Sequence, residues 1–83
     1  MNYALRILYF AQAREAAGWG EAAMALDEPI TQAQFWAMVI STSPALAAYQ
    51  KKARLARNGT YLQSGELINP YDEIAVIPPV SGG

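Results

Sequence analysis

The sequence contains no cysteine and no histidine among its 83 residues. These two absences exclude a disulfide framework, a Cys/His zinc site, a thiol nucleophile and a histidine general base. Charged residues are also scarce, at 16% of the chain, whereas an average soluble domain has about 25%. A surface with so few charges often indicates that another protein covers part of it.

The charges that are present nearly cancel, since 6 Lys and Arg face 7 Asp and Glu for a net charge of −1. This balance argues against a nucleic-acid-binding surface and a polybasic membrane anchor, so the basic run over residues 51–57 is interpreted as a solvated face. No stretch approaches the roughly 20 apolar residues of a membrane span. The first six residues lack a signal-peptide pattern, and we expect a cytoplasmic protein without nucleic-acid or membrane partners.

The length allows one small domain, and 53% apolar residues are enough to build a core. Residues 3–10 are rich in β-branched and aromatic side chains, which predicts a first strand. Alternation along this strand places Leu5, Ile7 and Tyr9 on one face and Arg6, Leu8 and Phe10 on the other. Because Arg6 marks the second face as the outer one, we expect Leu8 and Phe10 to be apolar groups on a partly exposed face.

One main helix is predicted in the middle of the chain. A capping box formed by Thr31 and Gln34 indicates its start, and Pro44 stops it. Residues 44–52 predict a further helix with Pro44 at its first position. Trp36 lies beside the apolar stripe of the main helix and is not assigned to core or surface. The stripe predicted to face the core consists of Phe35, Met38 and Val39.

Turn signals complete the order of elements. Asn58-Gly59 is the strongest two-residue hairpin signal, and residues 69–72 (NPYD) indicate a second turn. Asp72 and Glu73, at the end of that turn, are interpreted as turn and solvent residues rather than an acid/base pair. The other strands are predicted at residues 21–26, 53–57, 60–62 and 73–77, with a short helix at 11–17. This order predicts an α+β fold with one sheet packed on one main helix.

The chain closes with residues 78–83 (PPVSGG). Pro78 and Pro79 cannot donate to a β-ladder, so we expect a domain over residues 1–78 and an extended tail over 79–83. The small residues of this tail would thread a narrow channel and present a carboxylate to a buried active site. Since a carboxylate is inert until activated, this use requires a second protein that adenylates it with ATP. The alternative is that the paired glycines are accidental.

Four segments carry a resemblance that extends over nearly the whole chain: residues 8–15 (LYFAQARE), 57–59 (RNG), 72–75 (DEIA) and 78–83 (PPVSGG). With these segments the chain resembles the small subunit of molybdopterin synthase, a MoaD-like sulfur carrier of the MoaD/ThiS family. The resemblance implies a ubiquitin-like β-grasp fold with one mixed sheet and a C-terminal diglycine tail. A departure lies at residues 69–72, where the family more often has a glycine beside the acidic residues.

The resemblance also implies a function. The Gly83 carboxylate would be adenylated by an E1-like, MoeB-like enzyme that consumes ATP, and would then become a thiocarboxylate with sulfur from a donor enzyme. The tail would enter the large, MoaE-like subunit and give its sulfur to the pyranopterin precursor in molybdenum cofactor biosynthesis. The family assembles as a heterotetramer. The chain itself would bind no metal or cofactor and would supply a reagent rather than a side-chain catalytic site.

The apolar residues on the outer face of the predicted sheet predict a patch, beside the tail, on which another protein docks. The alternative is that the faces are reversed and these residues belong to the core. The resemblance supports Tyr61 and Ile77 as partner-facing positions and points to Arg14 as a contact of the activating enzyme. The residues predicted to bind partners are Leu8, Phe10, Tyr61, Ile77, Pro78, Pro79, Val80, Ser81 and Gly82.

Other functions remain open at the level of sequence. The chain could carry sulfur for another pathway, such as thiamine or cysteine synthesis or tRNA thiolation, or act as a ubiquitin-like modifier joined to lysines. It could also be a plain interaction domain. A carrier or modifier requires Gly83, whereas an interaction domain does not.

Overall fold

The computed structural model describes residues 4–79. In chain order the elements are β1 (Ala4–Tyr9), α1 (Ala11–Ala17), β2 (Glu21–Ala25), α2 (Gln32–Thr42), a 3₁₀ helix (Pro44–Tyr49), β3 (Arg54–Arg57), β4 (Thr60–Tyr61) and β5 (Glu73–Ile77). The predicted strands are present, and their ends lie within one or two residues of the expected positions.

The strands of this region form one sheet in the order β2-β1-β5-β3-β4. The central strands, β1 and β5, are parallel, and the other neighbouring pairs are antiparallel. The mixed sheet therefore joins the first and last strands of the chain at its centre. As a result, the end of β5, where the tail begins, lies beside the end of β1.

Alternation along the central strands divides buried from outer side chains, as predicted. Leu5, Ile7 and Tyr9 are buried, whereas Arg6 and Phe10 are exposed and Leu8 is half-buried. Burial also raises the pKa of the Tyr9 phenol. The core is completed mainly by apolar residues of β5, α2 and the 3₁₀ helix: Ile74, Val76, Phe35, Val39 and Leu46.

The main helix begins where the capping box predicted. The Thr31 hydroxyl accepts a hydrogen bond from the Gln34 N–H at 3.0 Å, and the Gln34 side chain accepts one from the Thr31 N–H at 2.8 Å. The prediction for its inner face was wrong at Met38, which is only half-buried, and the unassigned Trp36 is buried. Trp36 turns its ring edge-on to Phe35 with centroids 6.0 Å apart, so the buried stripe of α2 contains adjacent aromatic residues.

The segment after Pro44 winds as a 3₁₀ helix and ends at Tyr49, short of the predicted residue 52. The segment is only 6 residues long, and its bonds are of the tighter kind, such as Leu46 N–H to Ser43 O at 2.9 Å, rather than those of a regular α-helical ladder. Leu46 is fully buried and Tyr49 half-buried, which agrees with their predicted inward orientation.

The turn before β5 is braced by side chains that the sequence interpretation had left in solvent. Asp72 is buried, which contradicts the interpretation of this residue as a solvent group, and its carboxylate accepts the Asn69 N–H at 2.9 Å. The Asn58 side chain accepts the Glu73 N–H, also at 2.9 Å. Arg57, placed in the solvated basic run, instead donates to the Leu67 carbonyl at 2.6 Å and pairs with Glu66 at 2.9 Å. The Asn58 contact holds the start of β5 against the β3–β4 hairpin, and the Arg57 contacts hold the preceding loop against it.

No helix within residues 4–79 combines the length and the apolar character that crossing a membrane requires.

Candidate functional site

The outer face of the sheet, on the side away from α2, contains an apolar row that crosses four strands. Ladder register places Leu8 beside Ala75, Ala75 beside Ala56, and Ala56 beside Tyr61. Residues that lie directly opposite each other on neighbouring strands point to the same face, so these four residues share one side of the sheet. Ile77 follows two residues after Ala75 and extends the row toward the end of β5.

This row forms an open groove of about 350 Å³. Its lining includes the four residues predicted from sequence as a docking patch, together with Ala56 and Ala75. The short alanine side chains lie between the larger groups in the ladder, so Leu8, Phe10, Tyr61 and Ile77 stand as walls around a shallow floor. A complementary apolar ridge of another protein would fit this shape.

The exposure of the four wall residues decides between the two sequence interpretations. Phe10 is 47% and Tyr61 43% exposed, while Leu8 and Ile77 are half-buried. The residues on the opposite face of β1 are buried instead. The faces are therefore oriented as predicted, and the alternative in which this patch forms the core is wrong.

A polar cluster occupies the other half of the outer face. Arg6 donates to Glu21 at 3.0 Å and to Glu73 at 2.9 Å, and all three side chains are substantially exposed. Exposed ion pairs of this kind contribute about 0–1 kcal/mol, so their main effect is to hold the charges in place. One arginine and two glutamates leave this half with a charge of −1.

Arg54 is a feature of the site that sequence reasoning missed. Its guanidinium carbon lies 3.7 Å from the centroid of the Tyr61 ring, a cation–π contact. The hairpin signal at Asn58-Gly59 could have revealed it. A two-residue loop there pairs Tyr61 with Ala56, which makes Arg54 the diagonal neighbour of Tyr61, within reach of a long side chain.

The tail begins at the apolar end of this face. β5 ends at Ile77, as its two following prolines predicted. Pro78 is buried and Pro79 exposed, so only the second of the two prolines offers free surface to a partner. The predicted positions Val80, Ser81, Gly82 and Gly83 lie outside the described residues.

One further residue predicted from the sequence, Arg14, lies away from the groove. Arg14 is exposed on α1 and lines a separate surface depression with Trp19. As for metals, residues 4–79 contain no group of three or more His, Cys, Asp or Glu side chains arranged to hold an ion.

A family model and individual known proteins both match this chain over most of its length. The sequence matches the ThiS family over residues 7–83. It is 37% identical over 81 residues to the molybdopterin synthase sulfur carrier subunit of Chlamydomonas reinhardtii, covering 95% of this chain and 98% of that protein. It is 33% identical over 82 residues to the human protein of the same name, covering 95% and 93%.

Solved structures share the fold. SAMP1 from Haloferax volcanii superposes with a TM-score of 0.81 at 27% identity, covering 96% of this chain and 99% of that one. A putative molybdopterin converting factor subunit 1 from Pyrococcus furiosus gives a TM-score of 0.78 at 24% identity, covering 93% and 98%. These likenesses confirm the predicted ubiquitin-like β-grasp fold.

Proposed function

This chain belongs to the ThiS family, and we propose that it is the sulfur carrier subunit of a molybdopterin synthase. The observation that carries the proposal is the match to relatives of that name at 33% and 37% identity over nearly their full length. The family match also runs through residue 83, so it includes the diglycine. The fold and the apolar groove beside the start of the tail are compatible with this role.

The reactive group in this proposal is the main-chain carboxylate of Gly83. Adenylation joins a carboxylate oxygen to the AMP phosphate of ATP and releases pyrophosphate. Hydrosulfide supplied by a donor enzyme then displaces AMP and leaves a thiocarboxylate, with no change in the oxidation state of the sulfur. Transfer of that sulfur to the pyranopterin precursor, with water replacing it, regenerates the Gly83 carboxylate. The chain's own side chains take no part in bond breaking and bind no cofactor.

Three protein partners follow from this chemistry. The large, MoaE-like subunit would dock on the outer-face groove and receive the tail from Pro79 to Gly83, with Val80, Ser81 and Gly82 inside its channel. An E1-like, MoeB-like enzyme would adenylate Gly83, with Arg14 among its contacts, and a sulfur donor enzyme would supply the sulfur. We place this cycle in the cytoplasm. Apolar interface cores of this kind are typical of stable complexes.

Intact-mass spectrometry tests the carrier chemistry directly. The chain is incubated with its activating enzyme, ATP and a sulfur donor, and we expect the exchange of one oxygen for one sulfur at the C-terminus. A variant lacking Gly83 is the matched control and should show no exchange. Recovery of only the free acid in the complete reaction would refute the proposal.

The same material separates the carrier from the alternatives. Copurification with the large synthase subunit supports molybdopterin synthesis, whereas a lysine-linked adduct would indicate a modifier. The name small archaeal modifier protein 1 belongs to structural neighbours at 24% and 26% identity, so the search for a lysine-linked adduct is a necessary arm of this test. An interaction domain with an accidental diglycine would retain its function when Gly83 is removed.

A further inference from the structure

We propose that Arg54 orients the docking of the large synthase subunit on the outer face, by pairing with an acidic side chain of that subunit. The inference deepens the proposed function and rests on it. It states which charge the docking surface of that subunit must carry. The apolar groove by itself does not determine that charge.

The first observation is the position of Arg54. It lies opposite Ile77 in the β3–β5 ladder, at the end of the sheet where the tail leaves. Its guanidinium is held over the Tyr61 ring at 3.7 Å, and both Tyr61 and Ile77 line the groove. The cation therefore stands on the rim of the groove, beside the start of the tail, with its orientation set by an aromatic neighbour.

The second observation is that this cation has no acidic partner among residues 4–79. The ion pairs of that region involve Arg6 and Arg57, and Arg54 has only its contact with Tyr61. The acids on the same face, Glu21 and Glu73, are both held by Arg6. The outer face thus has an acidic cluster with a charge of −1, whose Glu73 lines one end of the groove, and a rim position at the other end of β5 where Arg54 carries +1.

This asymmetry identifies the chemistry of the partner. A protein that covers the groove removes water from around Arg54, and a cation that loses water without gaining an acceptor is unfavourable. An aspartate or glutamate opposite Arg54 supplies that acceptor, while the acidic cluster repels the same carboxylate. The charges therefore favour one docking orientation, in which the acidic residue lies beside the point where the tail leaves the sheet.

Charge reversal tests the inference through association kinetics with the purified cognate large subunit. Rim charges act mainly on the association rate and on its salt dependence. We expect Arg54→Glu to slow association about tenfold at low ionic strength, with a smaller deficit at high salt. Lys51→Glu is the matched control, because it makes the same change in net charge at an exposed position outside the sheet. We expect it to associate at nearly the wild-type rate.

A second pair of variants tests the role of Tyr61 in positioning Arg54. Arg54→Gln removes the charge without introducing a repulsive one, and Tyr61→Leu removes the ring but keeps an apolar wall. If the ring orients the cation, Arg54→Gln will slow association less in the Tyr61→Leu background than in wild type. Circular dichroism of each variant confirms that the comparison is made between folded proteins.

The outcomes are distinct. Slower, salt-sensitive association of Arg54→Glu alone supports the inference. If Lys51→Glu slows association as much as Arg54→Glu does, the effect comes from net charge alone. If neither Arg54 variant changes the association rate, Arg54 lies outside the interface. Either result overturns the inference. Failure of the wild-type chain to bind the large subunit would instead overturn the proposed function, which the mass measurement tests separately.

Discussion

Replacing Ile77 with aspartate should separate the contribution of β5 to folding from its contribution to partner binding. Ile77 is half-buried on the outer face, whereas Ile74, on the same strand, is fully buried against the core. The two isoleucines are therefore a matched pair in which the same substitution tests opposite sides of one sheet.

The expected cost to folding follows from this burial. Full burial of an isoleucine contributes about 1.5–3 kcal/mol, and most of the surface of Ile77 is buried, so its replacement loses roughly 1–2 kcal/mol. An aspartate at position 77 would face Arg54 across the ladder, and such an opposite-charge pair stabilises the fold by about 0.2–1 kcal/mol. A domain of this size has about 4–12 kcal/mol of stability. Ile77→Asp should therefore remain folded.

The expected cost to binding is larger. Docking on the groove would bury the part of Ile77 that is still exposed, which is the minor part of its surface, so the variant forfeits roughly 0.5 kcal/mol of apolar contact. It also places a carboxylate in an apolar interface, which costs about 1–3 kcal/mol more. A total of about 1.5–3.5 kcal/mol corresponds to roughly ten- to three-hundredfold weaker binding of the large subunit.

Titration calorimetry with the large subunit and thermal unfolding followed by circular dichroism measure the two effects. Ile74→Asp is the control: it places a carboxylate in the core and should unfold the domain. The reasoning is refuted if Ile77→Asp unfolds as well, because the residue would then belong to the core. It is equally refuted if the folded variant binds with wild-type affinity, because the groove would then lie outside the interface.

Two other predictions concern the elements that hold this face in place. Asp72→Ala leaves the Asn69 N–H without its acceptor, so the free energy of unfolding in urea should fall by about 1–3 kcal/mol. Asp72→Asn keeps an acceptor oxygen and should lower it less. Equal losses in the two variants would contradict the assigned hydrogen bond. Thr31→Ala removes half of the capping box and should cost about 1 kcal/mol, lowering the melting temperature by about 4–8 °C. Thr31→Ser should keep the cap and melt near wild type, and a melting point unchanged in Thr31→Ala would show that the cap contributes nothing.

Much of the site was predictable because its signals are local. Alternation in residues 3–10 placed Leu8 and Phe10 on the outer face, and the two prolines after Ile77 marked the end of the last strand. The prediction of Met38 as a core residue was wrong because the sequence shows which side of α2 is apolar but not which part of that side becomes buried. That depends on how the helix lies across the sheet, and the edge-on contact between Trp36 and Phe35 shows which part is buried here.

The sequence by itself determined the strand faces, the capped helix, the hairpin at Asn58-Gly59 and the diglycine that carries the proposed chemistry. Each of these depends on the conformational preferences of residues a few positions apart. Only the tertiary structure decided that Asp72 is buried, that Arg54 lies over Tyr61 without an acidic partner in the described region, and that Pro78 is covered. These properties arise from which strands become neighbours and from what packs over them, and such long-range pairing is not encoded in any single short segment.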